Sequence, residues 1–173
     1  MDQALPLNKL IILYMLDLVD FPLTNSQLSS FILKRGYTSY FPLQQAFIKL
    51  EEDGLITVEK VRNTSYYHLT ESGRFTLESF EHMISYPLKT EIRQYLVDNR
   101  YDLRAAVSTR SDYEQTADGE YLVHCIVKER HNDIINVTLR VPIESLAISI
   151  CDQWGKKQQD IYQFLMNNLL TEE

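Results

Sequence analysis

The stretch DGLITVEKVRNTSYYHLTESGR, residues 53–74, constrains the fold more than any other part of the chain. Residues 55–61 and 66–69 are rich in β-branched and aromatic side chains, and between them Arg62-Asn63-Thr64-Ser65 has no apolar residue. Two such runs about a short polar tip predict a two-stranded ribbon. Thr70 then caps a new helix at Glu71-Ser72-Gly73.

Upstream of the ribbon the apolar spacing predicts three helices. Residues 8–20 are apolar at Leu10, Ile11, Leu13, Tyr14 and Leu18, dense enough for a helix buried on most of its surface. Phe21-Pro22 ends it. A second helix runs from Thr24 or Asn25 to about Lys34, turns Leu28, Phe31 and Ile32 inward, and stops at Gly36. A third follows Thr38 or Ser39 and takes Pro42 in its first turn. It carries the stripe Leu43, Ala46, Phe47, Leu50 and ends at Asp53-Gly54. After the ribbon, the fourth helix has Phe75, Phe80, Met83 and Ile84 along it. Pro87 opens a fifth, over 87–103, with Leu88, Ile92, Tyr95 and Leu96 on one side.

The second half changes period. Ala105, Val107, Thr109, Ser111 and Tyr113 alternate with more polar neighbours, as in a strand. Residues 121–127 are apolar on both faces, which predicts a central strand. Ile135, Val137, Leu139 and Val141 alternate in a third strand that Pro142 ends. Turns fall at 116–119 and at His131-Asn132-Asp133. Two helices, 145–154 and 158–170, close the chain. The expected fold class is α+β: a winged helix-turn-helix over 1–85, a connecting helix over 86–104, and a C-terminal domain over 105–173 made of a three-stranded antiparallel sheet with helices.

Three helices, a ribbon and a helix follow the order of a winged helix-turn-helix, with Gly36 in the turn and the ribbon as the wing. The third helix is then expected in a DNA major groove, with its N-terminal residues nearest the bases. Its stripe leaves Tyr40, Gln44, Gln45 and Lys49 outward. Glutamine can pair bidentately with adenine, and lysine can reach phosphate. Lys34 and Arg35 end the second helix, Ser39 precedes the third, and Lys60, Arg62 and Asn63 lie on the wing. These ten residues are the expected DNA contacts. Regulators of this kind bind as two-fold dimers, and the stripe Leu88, Ile92, Tyr95, Leu96 is the expected dimer interface.

The segments ILYMLDLVDFPLTNSQLSSFIL, LQQAFIKLEEDGLI and YYHLTESGR resemble the first helices, recognition helix and wing exit of bacterial regulators of the PadR and MarR type. The arrangement L-[ED]-x-[ED]-G-L-I followed by Y-x-L-T-x-x-G-R carries this resemblance over residues 5–85. The whole chain, including DGEYLVHCIVKE, VTLRVP and ICDQWGKKQQDIY, also resembles a family of bacterial proteins catalogued as a domain of unknown function. The resemblance implies a winged helix, a C-terminal α+β part and a regulatory role, with no established ligand or operator. The wing departs from tight DNA binders in having only Lys60 and Arg62 as basic residues.

Charge keeps a second reading open. The formal net charge is −7. Residues 1–75 hold seven Lys/Arg against eight Asp/Glu, and residues 76–173 hold ten against sixteen. A basic patch in the near-neutral part could meet a phosphate backbone, while the acidic part repels one. A winged-helix protein-interaction module without DNA binding is the alternative. The start MDQALPLNKL has no basic n-region, and Asp17 and Asp20 break the apolar run, so no membrane segment is expected and the protein reads as cytoplasmic. Cys125 and Cys151 are expected as reduced core residues.

No enzyme chemistry is visible. His124 and Cys125 are neighbours on a strand and point to opposite faces. His131 and Asp133 share a turn without a third ligand, and His68 sits on a wing strand. No phosphate loop or nucleophile elbow occurs among the five glycines. No cofactor is expected. Trp154, Tyr162 and Phe164 are the aromatics that would line a surface for a small effector of unknown identity, or else fill the C-terminal core.

Overall fold

A computed structural model describes residues 5–130 and 132–170. It is a mixed α+β fold with six α-helices and two three-stranded antiparallel sheets among the described residues. The chain divides into two compact units, residues 1–107 and 108–173.

In the first unit, α1 (Leu7–Asp17) is the central pillar. All seven residues from Leu10 to Leu16 are buried, so LIILYML is a core helix closed in on every side. The next helix, α2 (Asn25–Lys34), starts at a capping box. The Thr24 hydroxyl accepts from the Gln27 amide at 3.1 Å, and the Gln27 side chain accepts from the Thr24 amide at 2.9 Å. Gly36 closes α2 with φ +70°, donating to the Leu33 carbonyl, a left-handed turn that favours glycine. Then come α3 (Tyr40–Glu52) and the ribbon of β2 (Ile56–Val61) and β3 (Thr64–Leu69).

A strand too short to read from sequence, β1 (Leu23–Thr24), pairs with β3 and completes a sheet of order β1-β3-β2. After it, α4 (Glu71–Phe80) begins at Thr70, whose hydroxyl accepts from the Gly73 amide at 3.0 Å. Gly73 has no alternative. A Cβ there would lie 2.0 Å from the Leu55 carbonyl oxygen and 2.7 Å from Leu69 Cδ1. The expected fourth helix is shorter than its apolar run, since residues 81–83 form a 3-10 turn; Phe75 and Met83, expected on its apolar side, are exposed.

The fifth helix, α5 (Tyr86–Ser108), is longer than expected, and Ala105 and Val107 are helical rather than the start of a strand. The reason is the buried row Leu88, Ile92, Leu96, Leu103 and Val107, which continues at helical spacing. Four of these residues, Leu88, Ile92, Leu96 and Leu103, belong to the core that α1, α2 and α3 build. The helix thus completes the first unit and is not a separate connector.

In the second unit, β4 (Thr109–Gln115), β5 (Tyr121–Glu129) and β6 (Asn132–Val141) form a meander with β5 central. One helix, α6 (Glu144–Leu169), runs where two were expected. Gly155 stays inside it, because a mid-helix glycine costs only about 1 kcal/mol and Cys151 and Trp154 anchor the preceding turns in the core. Val123, Cys125, Val127, Ile135 and Ala147 fill the space between sheet and helix.

Candidate nucleic-acid interface

The position of α3 is set by a polar cluster and a ring stack. Asn25 Nδ2 donates to Gln44 Oε1 at 2.8 Å and to the Tyr67 hydroxyl at 3.1 Å. The Ser29 hydroxyl donates to Asn25 Oδ1 at 2.9 Å. Phe47 stacks on Tyr67 with ring centroids 4.7 Å apart. Gln44, expected outward, is therefore half-buried and committed to holding α3 against α2 and β3.

A second group fixes the turn between α2 and α3. Arg35 Nε donates to Glu91 of α5, and the Tyr37 hydroxyl donates to the same carboxylate at 2.5 Å. The guanidinium lies over Phe31 at 4.1 Å and over Tyr95 at 5.2 Å. Burial, followed by the bond to Glu91, pushes the Tyr37 hydroxyl up to about 12. The Tyr37 hydrogen bond, joined by the Arg35 guanidinium, holds the Glu91 carboxyl below its ordinary value. Arg35, expected at a phosphate, is thus engaged in a partly exposed brace between α2 and α5.

The expected dimer stripe faces the same way. Leu88, Ile92 and Leu96 are buried in the first unit's own core, and Tyr95 packs on Phe31 at 4.7 Å. A side chain already buried within one chain has no surface left for a copy.

The face that α3 does present to solvent is different from the one expected. Opposite the stripe Leu43, Ala46, Phe47, Leu50 lie Phe41, Gln45, Ile48 and Glu52. Phe41 is 77% exposed and Ile48 57%. Tyr40 is also exposed and meets Phe41 edge-on at 5.6 Å. The opposite side of the inner stripe is legible as a helical wheel, but only the polar residues Tyr40, Gln44, Gln45 and Lys49 were read as outward, and Phe41 and Ile48 were passed over. Gln45 and Lys49 border a cleft with Pro6, Asn8 and Lys9 of the α1 start. Lys49 is exposed, but it pairs with Asp53 at 3.2 Å and Glu52 at 3.8 Å. Ser39 and Lys34 are exposed.

The ribbon pairs in register from Ile56↔Leu69 to Val61↔Thr64, leaving a two-residue tip of Arg62 and Asn63. Both tip residues and Lys60 are exposed. Arg62 has φ 55°, a left-handed conformation in which arginine is uncommon and asparagine or glycine is favoured. His68 faces Glu59 across the strands at 3.6 Å.

One signal on this face was missed in the sequence. Residues 21–50, which span β1, α2, the turn and α3, contain Lys34, Arg35 and Lys49 and no Asp or Glu, in a chain with 24 acidic residues. Acids return only at Glu51, Glu52 and Asp53, at the C-terminal end of α3. The positive end of the α3 dipole adds to the field at its start.

The second unit presents no comparable cluster. No group of three His, Cys, Asp or Glu able to hold a metal occurs among the described residues, and His131 lies outside them. His124 lies on the sheet face away from α6, within 3.3 Å of Thr138 and Glu114. Cys125 is buried on the other face, where burial pushes its thiol up to about 11. Trp154 is core, donating from Nε1 to the Ile126 carbonyl at 3.2 Å, whereas Tyr162 is half-buried and Phe164 is exposed. No helix among the described residues is long and apolar enough to cross a membrane.

No curated protein and no solved structure matches the chain. A family model does, over residues 8–169. The chain belongs to the family described as domain of unknown function DUF4364.

Proposed function

We propose that the chain is a DNA-binding transcriptional regulator, built on a winged helix-turn-helix and acting as a homodimer. The observation that carries this reading is the acid-free segment 21–50 in a chain of net charge −7. It covers α2, the Gly36 turn and α3 as far as Leu50, the elements a helix-turn-helix lays on DNA. The order α1-β1-α2-α3-β2-β3, with β3 between β1 and β2, supports a winged-helix frame. Arginine held at a left-handed ribbon tip supports a role for the tip itself.

In this reading α3 enters the major groove, Gln45 pairs with a base edge, and Tyr40 and Ser39 approach the backbone. Lys34, Lys49, Lys60, Arg62 and Asn63 contact phosphates. Gln44 and Arg35 act behind them, fixing the angle of α3. The copy-to-copy contact falls on the end of α6 and its cap: residues 161–170 carry no charge and expose Phe164, Leu169 and Leu170. In a half with excess negative charge, such a stretch is where two copies can meet without repulsion.

Titration of a labelled random-sequence duplex tests the reading. Two chains supply eight basic contacts, and between about 50 and 200 mM salt affinity should fall by about 10³–10⁵. Light scattering should return twice the chain mass of 20.3 kDa. Absence of binding at every salt concentration would refute the DNA reading, and a monomer mass the dimer.

A further inference from the structure

Phe41 and Ile48 have no role in the contacts assigned above, although they are the most outward large residues of α3. They are seven residues apart on one face with Gln45 between them, a span of about 10 Å along the helix. Exposed apolar side chains on a DNA-facing helix cannot bind phosphate or pair with polar base edges. The major groove has one apolar feature, the C5-methyl of thymine, and phenylalanine and small aliphatic groups are the side chains that meet it.

The surroundings favour DNA over a protein as the occupant. Residues 21–50 carry three basic and no acidic residues, and Lys49 stands one residue from Ile48. Glu52, on the same face, lies about 16 Å from Phe41 but only one turn, about 6 Å, beyond Ile48, where Lys49 Nζ stands 3.8 Å from its carboxylate and offsets its charge. The edge-on contact with Tyr40 gives the Phe41 ring a defined neighbour before any partner arrives.

We infer that Phe41 and Ile48 are specificity-determining residues that read thymine 5-methyl groups on either side of the base contacted by Gln45. This rests on the DNA-binding reading above. The two contacted methyls then fall within about three base pairs of one another, on either strand.

The test separates the two claims. A duplex is selected from a randomised pool with the wild-type protein, and its thymidines are replaced one at a time by deoxyuridine, which removes the methyl and keeps pairing and charge. One or two positions in each half-site should weaken binding about fourfold each, the worth of one buried methyl. Phe41→Ala should bind the thymidine and deoxyuridine duplexes alike at one such position, and Ile48→Ala at another. Phe41→Leu, which keeps an apolar contact, should retain part of the difference. Because both side chains are exposed, the far-UV spectrum of each variant should match wild type. Equal binding of the two duplexes by wild type, or full discrimination by both alanine variants, overturns the inference and leaves DNA binding intact. Failure to retain any duplex ends both and assigns the stripe to a protein partner.

Discussion

Replacing Ile92 by alanine should destabilise the first unit strongly and leave the oligomeric state unchanged. Ile92 is 0% exposed, set on α5 in the core with Leu88 and Leu96. The change removes three carbons, worth about 2.4 kcal/mol of transfer free energy at ~0.8 kcal/mol each. The cavity left behind adds to this, for a total of about 3–4 kcal/mol, inside the usual range for such truncations. With a urea slope near 2 kcal/mol/M, the midpoint should drop by about 1.5–2 M. Urea unfolding followed by far-UV circular dichroism measures the shift, and light scattering of the folded variant measures the mass. A midpoint within about 0.3 M of wild type, together with a halved mass, would refute the reasoning and put Ile92 between subunits.

Three further outcomes follow from particular contacts. Gly73→Ala should cost about 2–3 kcal/mol, because the added Cβ meets the backbone oxygen of Leu55 at 2.0 Å; an unchanged thermal midpoint would contradict that geometry. Glu91→Gln should cost less than about 1 kcal/mol at neutral pH, since the Arg35 pair is partly exposed. The Glu91 carboxyl is held below its ordinary value of 4.5, so its contribution is fully present above that value and is lost as pH falls through the lowered one. The stability gap between wild type and Glu91→Gln should therefore persist at neutral pH and close in acid; a gap that widens on acidification would reverse the assignment. If Lys49 and Arg62 contact phosphates, Lys49→Ala and Arg62→Ala should each lower the slope of log K against log salt by about 1 per chain, about 2 for the homodimer. No change for Lys49 would mean that it keeps Glu52 and Asp53 as partners on DNA.

Most of the architecture is legible in the sequence because periodicity and punctuation agree there. The buried α1, the Thr24 cap, the Gly36 stop and the ribbon all rest on local rules, and the tertiary structure obeys them. Errors cluster at junctions. The alternation of Ala105, Val107 and Thr109 fits a strand, but Leu103 and Val107 also fit the next turn of a helix, and burial in the first unit decided for the helix. Gly155 reads as a break, and the core contacts of Cys151 and Trp154 outweigh its weak helix preference. Partnerships between distant residues were out of reach. Nothing local joins Arg35 to Glu91, or Gln44 to Asn25, so two residues that look like free surface groups proved to tie elements of the first unit together. Phe41 and Ile48 were passed over because only polar side chains were sought on the outer face of the third helix.

The chain has a single tryptophan, Trp154, and it lies in the core of the second unit with its indole nitrogen bonded to Ile126. Residues 1–107 contain tyrosines but no tryptophan. Emission excited at the red edge of the indole band therefore comes from residues 108–173 alone. The unlabelled protein carries its own optical tag on one unit, so denaturation curves from fluorescence and from backbone dichroism can be compared to learn whether the two units melt together or in sequence.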